Sequence, residues 1–363
     1  MWPDRRIPDL LGIEHPIIQA PMAGPVFSDM VIAACEAGAL GSLPCATIDE
    51  SRIRAEIGIV RQATDRPFNV NFFCHTPPAF DAAREARWRE RLRPYYVELG
   101  LDPDMDVPVS NRTPFDDALC ALVEEFRPKV VSFHFGLPET ALLERVKATG
   151  AAVLSSATTV EEAVWLEDHG CDAVIAQGAE AGGHRGNFLT HDMATQIGTF
   201  ALVPQVADAV KVPVIAAGGI TDARGIVAAL ALGAAAVQIG TAYLYTPEAR
   251  IAALHRAALR SGRAGETALT NVFTGRPARG ILNRVMRETG PLSDDAPAFP
   301  LAGGALAPLR AASEKAGSDG FMSLWAGQAA RLSREMGAAE LTRTLAAEAM
   351  ARLAGLAGAR RDG

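Results

Sequence analysis

Short runs of apolar residues recur along the chain, and polar stretches with helical periodicity separate most of them. Continuous apolar runs are typical of strands that are buried on both faces of a parallel sheet. Eight runs fit this description, namely PIIQAPM (16–22), GALGSLP (38–44), FNVNFF (68–73), VVSFHF (130–135), AAVLSSA (151–157), DAVIAQG (172–178), PVIAAGG (213–219) and AAVQIGT (235–241). A strand followed by a helix, repeated eight times, predicts an α/β fold, the (β/α)8 or TIM barrel.

The stretches between the runs carry helix start signals. A Ser, Thr or Asp before an apolar period offers a side-chain oxygen to the free N–H groups of the first turn. We expect such caps at Ser28, at Thr47 or Asp49, at Thr158 or Thr159, and at Thr221. A doubly wound open sheet would show the same alternation, but the even strand spacing after Val130 favours a closed barrel.

Two long stretches interrupt this rhythm. Residues 76–128 follow the third strand, and residues 245–340 follow the eighth and contain Gly- and Pro-rich links. Because long loops of compact domains are usually lids or binding segments, we expect both to form a cap over the C-terminal face of the barrel. The predicted organisation is a barrel over 1–244, a cap or substrate segment over 245–340, and a C-terminal helix and tail over 341–363.

Composition and charge narrow the class of protein. The net charge of −7 over 363 residues, without a basic stripe, argues against a nucleic-acid partner. No signal-like apolar segment and no run of 18 uncharged apolar residues occurs, so neither export nor a membrane span is expected. Five scattered cysteines without a CxxC pattern indicate reduced thiols in a cytoplasmic protein, and no metal site is expected.

Small residues and polar groups collect at the C-terminal ends of the predicted strands, where barrel enzymes have their active sites. Gly218 and Gly219 follow the seventh strand, and Gly240 and Thr241 follow the eighth. Bare backbone N–H groups and a hydroxyl at this place favour a phosphate, carried by FMN or by a phosphorylated substrate. The alternative is that these glycines only permit tight turns.

A flat ring would fit beside this phosphate. The backbone of Pro21, Met22 and Ala23 could lie along such a ring, and the side chains of Asn69 and Gln177 offer amides to its carbonyls and nitrogens. Met22 could equally fill the barrel core.

Two histidines stand out from the remaining five. His184 lies in QGAEAGGHRG, a loop of small residues that cannot bury it, and an imidazole there can exchange protons near neutral pH. His134 ends the fourth strand in SFHFG and is either a substrate-pocket residue or a core histidine bonded to backbone. We therefore expect His184 to be catalytic.

Several of these motifs together resemble the nitronate monooxygenase family. They are QAPMAG, FNVNFF, SFHFG, QGAEAGGHRG, PVIAAGGI, AVQIGTAYL and the later SLWAGQ. The resemblance implies an FMN-containing barrel with His184 as catalytic base and His134 in the substrate pocket. It implies flavin binding by Pro21, Met22, Ala23, Asn69, Gln177, Gly182, Gly218, Gly219, Gly240, Thr241 and Gln328. The chain departs from the family in having no tyrosine after Tyr245, which puts the identity of the substrate in doubt.

The resemblance implies oxidation of alkyl nitronates by O2 to a carbonyl compound and nitrite. His184 would take the α-proton of a neutral nitroalkane, or, when protonated, would hold an anionic substrate. Two alternatives are an NAD(P)H-dependent FMN reductase that acts on an enoyl thioester or a quinone, and a barrel that only binds a phosphorylated ligand. A homodimer through the cap segments is also left open.

Overall fold

The computed structural model describes residues 1–108, 110 and 112–358, and its centre is a ring of parallel strands. Eleven strands are present in this part of the chain, and their bounds in chain order are β1 Ile17–Gln19, β2 Gly41–Pro44, β3 Phe68–Phe73, β4 Val130–His134, β5 Ala152–Ala157, β6 Ala173–Gln177, β7 Gly183–His184, β8 Val214–Ala217, β9 Ala236–Ile239, β10 Thr267–Thr270 and β11 Ala278–Ile281. Eight of them form one sheet in the order β1-β9-β8-β6-β5-β4-β3-β2, with every pair parallel.

The two ends of this sheet meet and close the barrel. Ile18 of β1 forms a parallel bridge with Leu40, just before β2, and the amide of Gln19 donates to Leu40 O over 2.9 Å. All eight predicted strands are present, each inside its apolar run, and the (β/α)8 barrel is confirmed. The runs lack alternation because their residues are almost all buried, either in the barrel or beneath the helices.

Thirteen α-helices accompany the strands within the described residues. Their bounds are α1 Arg6–Leu11, α2 Ser28–Glu36, α3 Glu50–Ala63, α4 Ala82–Glu98, α5 Asp117–Phe126, α6 Thr140–Ala148, α7 Val160–Asp168, α8 Thr199–Ala209, α9 Ala223–Ala231, α10 Ala253–Arg260, α11 Arg284–Thr289, α12 Gly303–Lys315 and α13 Ala338–Gly358. Most connect consecutive barrel strands, as a right-handed β-α-β path requires.

The helix starts follow the predicted caps in two of four cases. Asp49 accepts from the amide of Arg52, and Thr159 accepts from that of Glu162. The prediction at Ser28 was wrong, because Ser28 is already helical and its amide is satisfied by the buried carboxylate of Glu56 over 2.8 Å. The prediction at Thr221 was wrong by one residue, because the next residue, Asp222, forms the cap of α9.

The last described helix, α13, packs on the barrel between α9 and α2. Leu341, Leu345 and Ala349 join the main hydrophobic core, and Tyr243 Oη lies 2.7 Å from Thr342 Oγ1. The helix that completes the barrel is therefore separated from its strand, β9, by the long segment 245–337.

That segment builds a second hydrophobic core with the insertion after β3. Trp88 and Leu92 of α4 pack with Leu306 and Leu309 of α12, and Trp88 Nε1 donates to Ala302 O over 3.1 Å. The segment also supplies β10 and β11, which form a small antiparallel sheet with β7. The division into barrel, cap and C-terminal helix stays a prediction, but these contacts place both long stretches against one another.

Two kinds of feature are absent from the part of the chain that the structure describes. No helix there has the length and hydropathy needed to cross a bilayer. Across the same residues, no three His, Cys, Asp or Glu side chains come together in a way that could hold a metal ion.

Candidate active site

A cavity of about 490 Å³ lies at the C-terminal ends of the barrel strands. This volume is in the range that holds a small ligand or cofactor. Most of the residues predicted for the site line it, namely Pro21, Met22, Ala23, His134, Gln177, Gly182, His184, Gly218, Gly219, Gly240 and Thr241. The fold therefore brings together residues that are up to 220 positions apart in the sequence, as the distance from Pro21 to Thr241 shows.

Two predicted residues lie outside the cavity wall. Asn69 is one layer deeper in the barrel, where its Nδ2 donates to Ser42 Oγ and Ser132 Oγ over 3.0 and 2.8 Å. Asn71, two residues later on the same face of β3, lines the cavity instead. The side chain of Gln328 is exposed. Among the described residues, its hydrogen bond is the one that its backbone N–H donates to Glu180 O over 3.0 Å.

The glycine-rich rim of the cavity is a place where three segments approach closely. A Cβ on Gly182 would lie 2.5 Å from the amide nitrogen of Gly327, and one on Gly218, whose φ is +106°, would lie 2.9 Å from that of Ala181. Thr241 Oγ1 accepts from the amide of Gly327 over 2.9 Å. The ends of β8 and β9, the loop after β6 and residues 326–329 thus form one rim without protruding side chains.

Hydrogen-bonding groups on this side are left free for a ligand. Within the described chain, the amides of Gly218, Gly219 and Gly240 donate to no other residue. Deeper in the barrel, Asn69 Oδ1 is buried and has no partner in the described chain. Free amides on a bare glycine rim fit a ligand that carries a phosphate.

The loop that carries His184 is fixed at its base and joined to the small sheet. Gln177 Nε2 donates to His184 O over 3.0 Å, and Gln177 Oε1 accepts from the amide of Gly186 over 2.8 Å. The fully buried Arg185 donates to the carbonyls of Gln177 and Gly178, both over 2.6 Å. His184 itself pairs with Ala278 of β11. The Gln177 side chain therefore shapes the loop, in addition to lining the cavity.

The His184 imidazole lies in an aromatic and polar pocket. Its Nε2 is 2.9 Å from Thr274 Oγ1. Its ring centroid is 5.4 Å from that of Phe299 and 5.6 Å from that of Trp325, which lines the cavity. These contacts hold the ring in one orientation at the cavity wall.

Burial and nearby guanidinium groups disfavour an imidazolium in this pocket. Burial, and then the surrounding positive charge, with that of Arg112 first, hold the pKa of His184 well below its usual value. Burial and Arg276 lower the pKa of His134 to about 3, and its Nδ1 lies 2.8 Å from Ser156 Oγ. These shifts favour the neutral form of both imidazoles near neutral pH.

Sequence reasoning missed five residues of this site: His75, Arg112, Thr274, Arg276 and Trp325. The Arg276 guanidinium lies 3.9 Å over the Phe135 ring, and it donates to the carbonyls of Arg185 and Asn187. Both ring nitrogens of His75 are buried and without a partner in the described chain. Thr274 and Arg276 lie in the segment TGRPARG, one of the Gly- and Pro-rich links in the stretch after the eighth strand, and no periodic pattern marks them there.

The fold and this cavity define a (β/α)8 enzyme with a small-molecule site at the C-terminal mouth of its barrel. The family model described as Nitronate monooxygenase matches residues 5–348. The chain therefore belongs to the nitronate monooxygenase family, and its relatives support an oxidoreductase activity.

The sequence similarity to known proteins extends over nearly the whole chain. A nitronate monooxygenase of Pseudomonas aeruginosa is 45% identical over 94% of this chain and 98% of its own length, and one of Paraburkholderia phytofirmans is 42% identical over 95% and 94%. Among solved structures, a nitroalkane oxidase from Streptomyces ansochromogenes has a TM-score of 0.88 at 40% identity and covers 97% of this chain and 99% of that one. FabK from Thermotoga maritima has a TM-score of 0.72 at 27% identity, with 99% of each chain covered.

Proposed function

We propose that this protein oxidises alkyl nitronates with O2 to a carbonyl compound and nitrite, with FMN as cofactor. The observation that carries the proposal is the position of His184 in the wall of the same cavity that has the bare glycine rim, where burial lowers the pKa of its imidazole. In a member of the nitronate monooxygenase family, this pairs a base with a site for a flat phosphorylated cofactor.

The residues of the rim fit FMN. All of the following residues line the cavity: Gly218, Gly219, Gly240 and Thr241 would hold the FMN phosphate through amides and a hydroxyl, and Pro21, Met22, Ala23 and Gly182 would border its ring. Asn69, Gln177 and Gln328 remain proposed contacts. When bound, FMN supplies the redox chemistry, and the protein supplies orientation and polarity.

We assign the general base to Nδ1 of His184. In this assignment, the Thr274 hydroxyl donates to Arg276 O, 3.3 Å from its Oγ1, and accepts a hydrogen bond from the N–H at His184 Nε2 over 2.9 Å. This arrangement leaves the Nδ1 lone pair available for the α-proton of a neutral nitroalkane. His134 belongs to the proposed substrate pocket, since it lines the cavity.

The proposal is tested by mixing the purified protein without oxygen with propionate 3-nitronate and, separately, with NADH. A flavin spectrum that changes rapidly with the nitronate and not with NADH is expected. A colourless protein that cannot be reconstituted with FMN would contradict the proposal and favour a barrel that only binds a ligand.

The second candidate is an NAD(P)H-dependent FMN reductase. The likeness to FabK over the full chain, at 27% identity, is the observation in its favour. Rapid bleaching of the flavin by NADH in the same experiment would select this activity and would require another role for His184.

We further propose a cytoplasmic location and a homodimer. The five cysteines are unpaired, and four of them are buried, which suits a reducing compartment. Light scattering on the purified protein would give the assembly state directly.

A further inference from the structure

Arg112, Arg250 and Arg310 line the cavity, and they differ in whether a carboxylate lies close to the guanidinium. Arg250 Nη2 lies 3.3 Å from a carboxylate oxygen of Asp29, and Arg310 Nε lies 3.9 Å from one of Glu314. Arg112 has no carboxylate within 4.0 Å among the described residues, and its guanidinium donates no hydrogen bond to them. Arg112 is partly buried, and a partly buried cation without a partner carries a desolvation cost that a bound anion would offset.

The charge of Arg112 acts at the place where the substrate would react. Among the charged groups, it has the largest effect on the pKa of His184, ahead of Arg276. Burial also lowers the pKa of Arg112 itself, but a guanidinium stays protonated in proteins.

The other basic residues near His184 are either held by hydrogen bonds within the protein or uncharged near neutral pH. Arg276 is committed to two backbone carbonyls and to the face of Phe135. Arg185 is committed to the carbonyls of Gln177 and Gly178 and to Gln196 Oε1. Burial and Arg276 lower the pKa of His75 to about 4, so it also carries no charge near neutral pH.

We propose that Arg112 is the binding residue for the anionic head group of the substrate, a small anion with two oxygens in one plane. This inference rests on the proposed function for the assignment of the anion to a nitronate. The guanidinium presents N–H groups in a planar fork that matches two coplanar oxygens, whereas an ammonium is a point charge. Arg112 therefore selects the nitronate over the neutral nitroalkane, and His184 acts only as the base.

Calorimetric titration of the purified protein with butyrate and with butyramide tests this inference. The two probes have nearly the same shape, and only butyrate carries a planar anionic head with two oxygens. We expect the wild type to bind butyrate more tightly than butyramide. Arg112→Gln should weaken butyrate binding by about 10- to 100-fold and leave butyramide binding unchanged, and Arg112→Lys should fall between.

Arg343→Gln is the matched control, since it removes one positive charge from the exposed face of α13. We expect it to leave the affinity for butyrate unchanged. Three results would overturn the inference: no preference for butyrate in the wild type, equal losses for both probes in Arg112→Gln, or an equally large loss of butyrate binding in Arg310→Gln.

The two proposals fail in different ways. If Arg112 controls butyrate binding but propionate 3-nitronate is not oxidised, the anion site stands and the proposed reaction is wrong. If the nitronate is oxidised and Arg112→Gln changes neither its KM nor butyrate binding, the reaction stands and the anion is held elsewhere.

Discussion

As the proposed base, His184 has to meet a substrate at the cavity wall and must also be free of its own proton near neutral pH. The structure meets both needs with the pocket around the ring. The hydrogen bond to Thr274 fixes the imidazole, and burial with the charges of Arg112 and Arg276 disfavours the imidazolium. An imidazole with a lowered pKa is in its neutral, proton-accepting form near neutral pH, although its low pKa also makes it a weak base.

Replacing His184 with Asn should lower kcat/KM for neutral nitroalkanes by about 10²- to 10⁴-fold, because the variant cannot abstract the α-proton. Preformed nitronates need no proton abstraction, so their oxidation should fall much less. Steady-state oxygen consumption with each substrate gives both numbers. His191→Asn, at an exposed histidine, is the control, and equal losses on both substrates would rule out the role as base.

Functional residues could be predicted from the sequence where the adjacent residues of the chain mark them. His184 was identified because its loop is too small to bury it, and the paired glycines after β8 and β9 stood out for the same local reason. Arg112 and Arg276 could not be identified in this way. Their importance depends on burial and on partners in distant segments, such as Phe135 beneath Arg276.

At the scale of elements, the small sheet of β7, β10 and β11 connects the loop of His184 to the segment after the barrel. A two-residue strand leaves no periodic pattern, and its partner β11 lies far along the chain, so the sequence did not predict it. The barrel strands were predictable because each is a continuous apolar run of several residues.

Gly182→Ala should disturb the contact between the loop after β6 and residues 326–327. The new Cβ would lie 2.5 Å from Gly327 N and 2.6 Å from Ala326 C, so the backbone must shift. We expect a loss of ~1–3 kcal/mol in the free energy of unfolding, together with weaker FMN binding, measured by urea denaturation and flavin fluorescence.

The matched control is Gly58→Ala in α3, where no heavy atom lies within 4 Å of the added Cβ. This change should stabilise the protein by ~0.4–1 kcal/mol and leave FMN binding unaltered. Similar flavin affinities for both variants would contradict the close approach at Gly182.

Leu341→Ala tests the role of α13 as the helix that completes the barrel. Leu341 is 2% exposed within the main core, and its truncation should lower the free energy of unfolding by ~2–5 kcal/mol. Leu356 lies on the same helix and is 63% exposed, so Leu356→Ala should change the free energy of unfolding by less than ~0.5 kcal/mol. Urea denaturation of both variants decides, and equal effects would mean that α13 is not anchored.

For the whole molecule, the buried histidines predict acid sensitivity. Burial, as the main cause, lowers the pKa of His75 and His255 to about 4 and that of His134 to about 3, and it places that of His184 well below its usual value. As the pH falls below about 6.5, the unfolded chain binds protons that the folded chain does not, so stability is lost. Each histidine contributes up to ~1.4 kcal/mol per pH unit until the pH reaches its folded-state pKa.

Urea denaturation at pH values from about 7.5 down to about 5 measures this loss. We expect the free energy of unfolding to be constant in the upper part of this range and to fall steeply below about pH 6.5. His255→Gln should reduce by about one the number of protons taken up on unfolding, so the free energy of unfolding should fall less steeply as the pH decreases. A free energy that stays level down to about pH 5 would show that these histidines are protonated in the folded protein.

The position of α13 has a consequence for synthesis on the ribosome. The groove between α2 and α9 stays open until α13 emerges, which takes on the order of ten seconds for the intervening segment 245–337. During this time the nascent chain exposes the apolar surface that Leu341, Leu345 and Ala349 cover in the folded protein. The core of this barrel is therefore completed only after α13 has been synthesised.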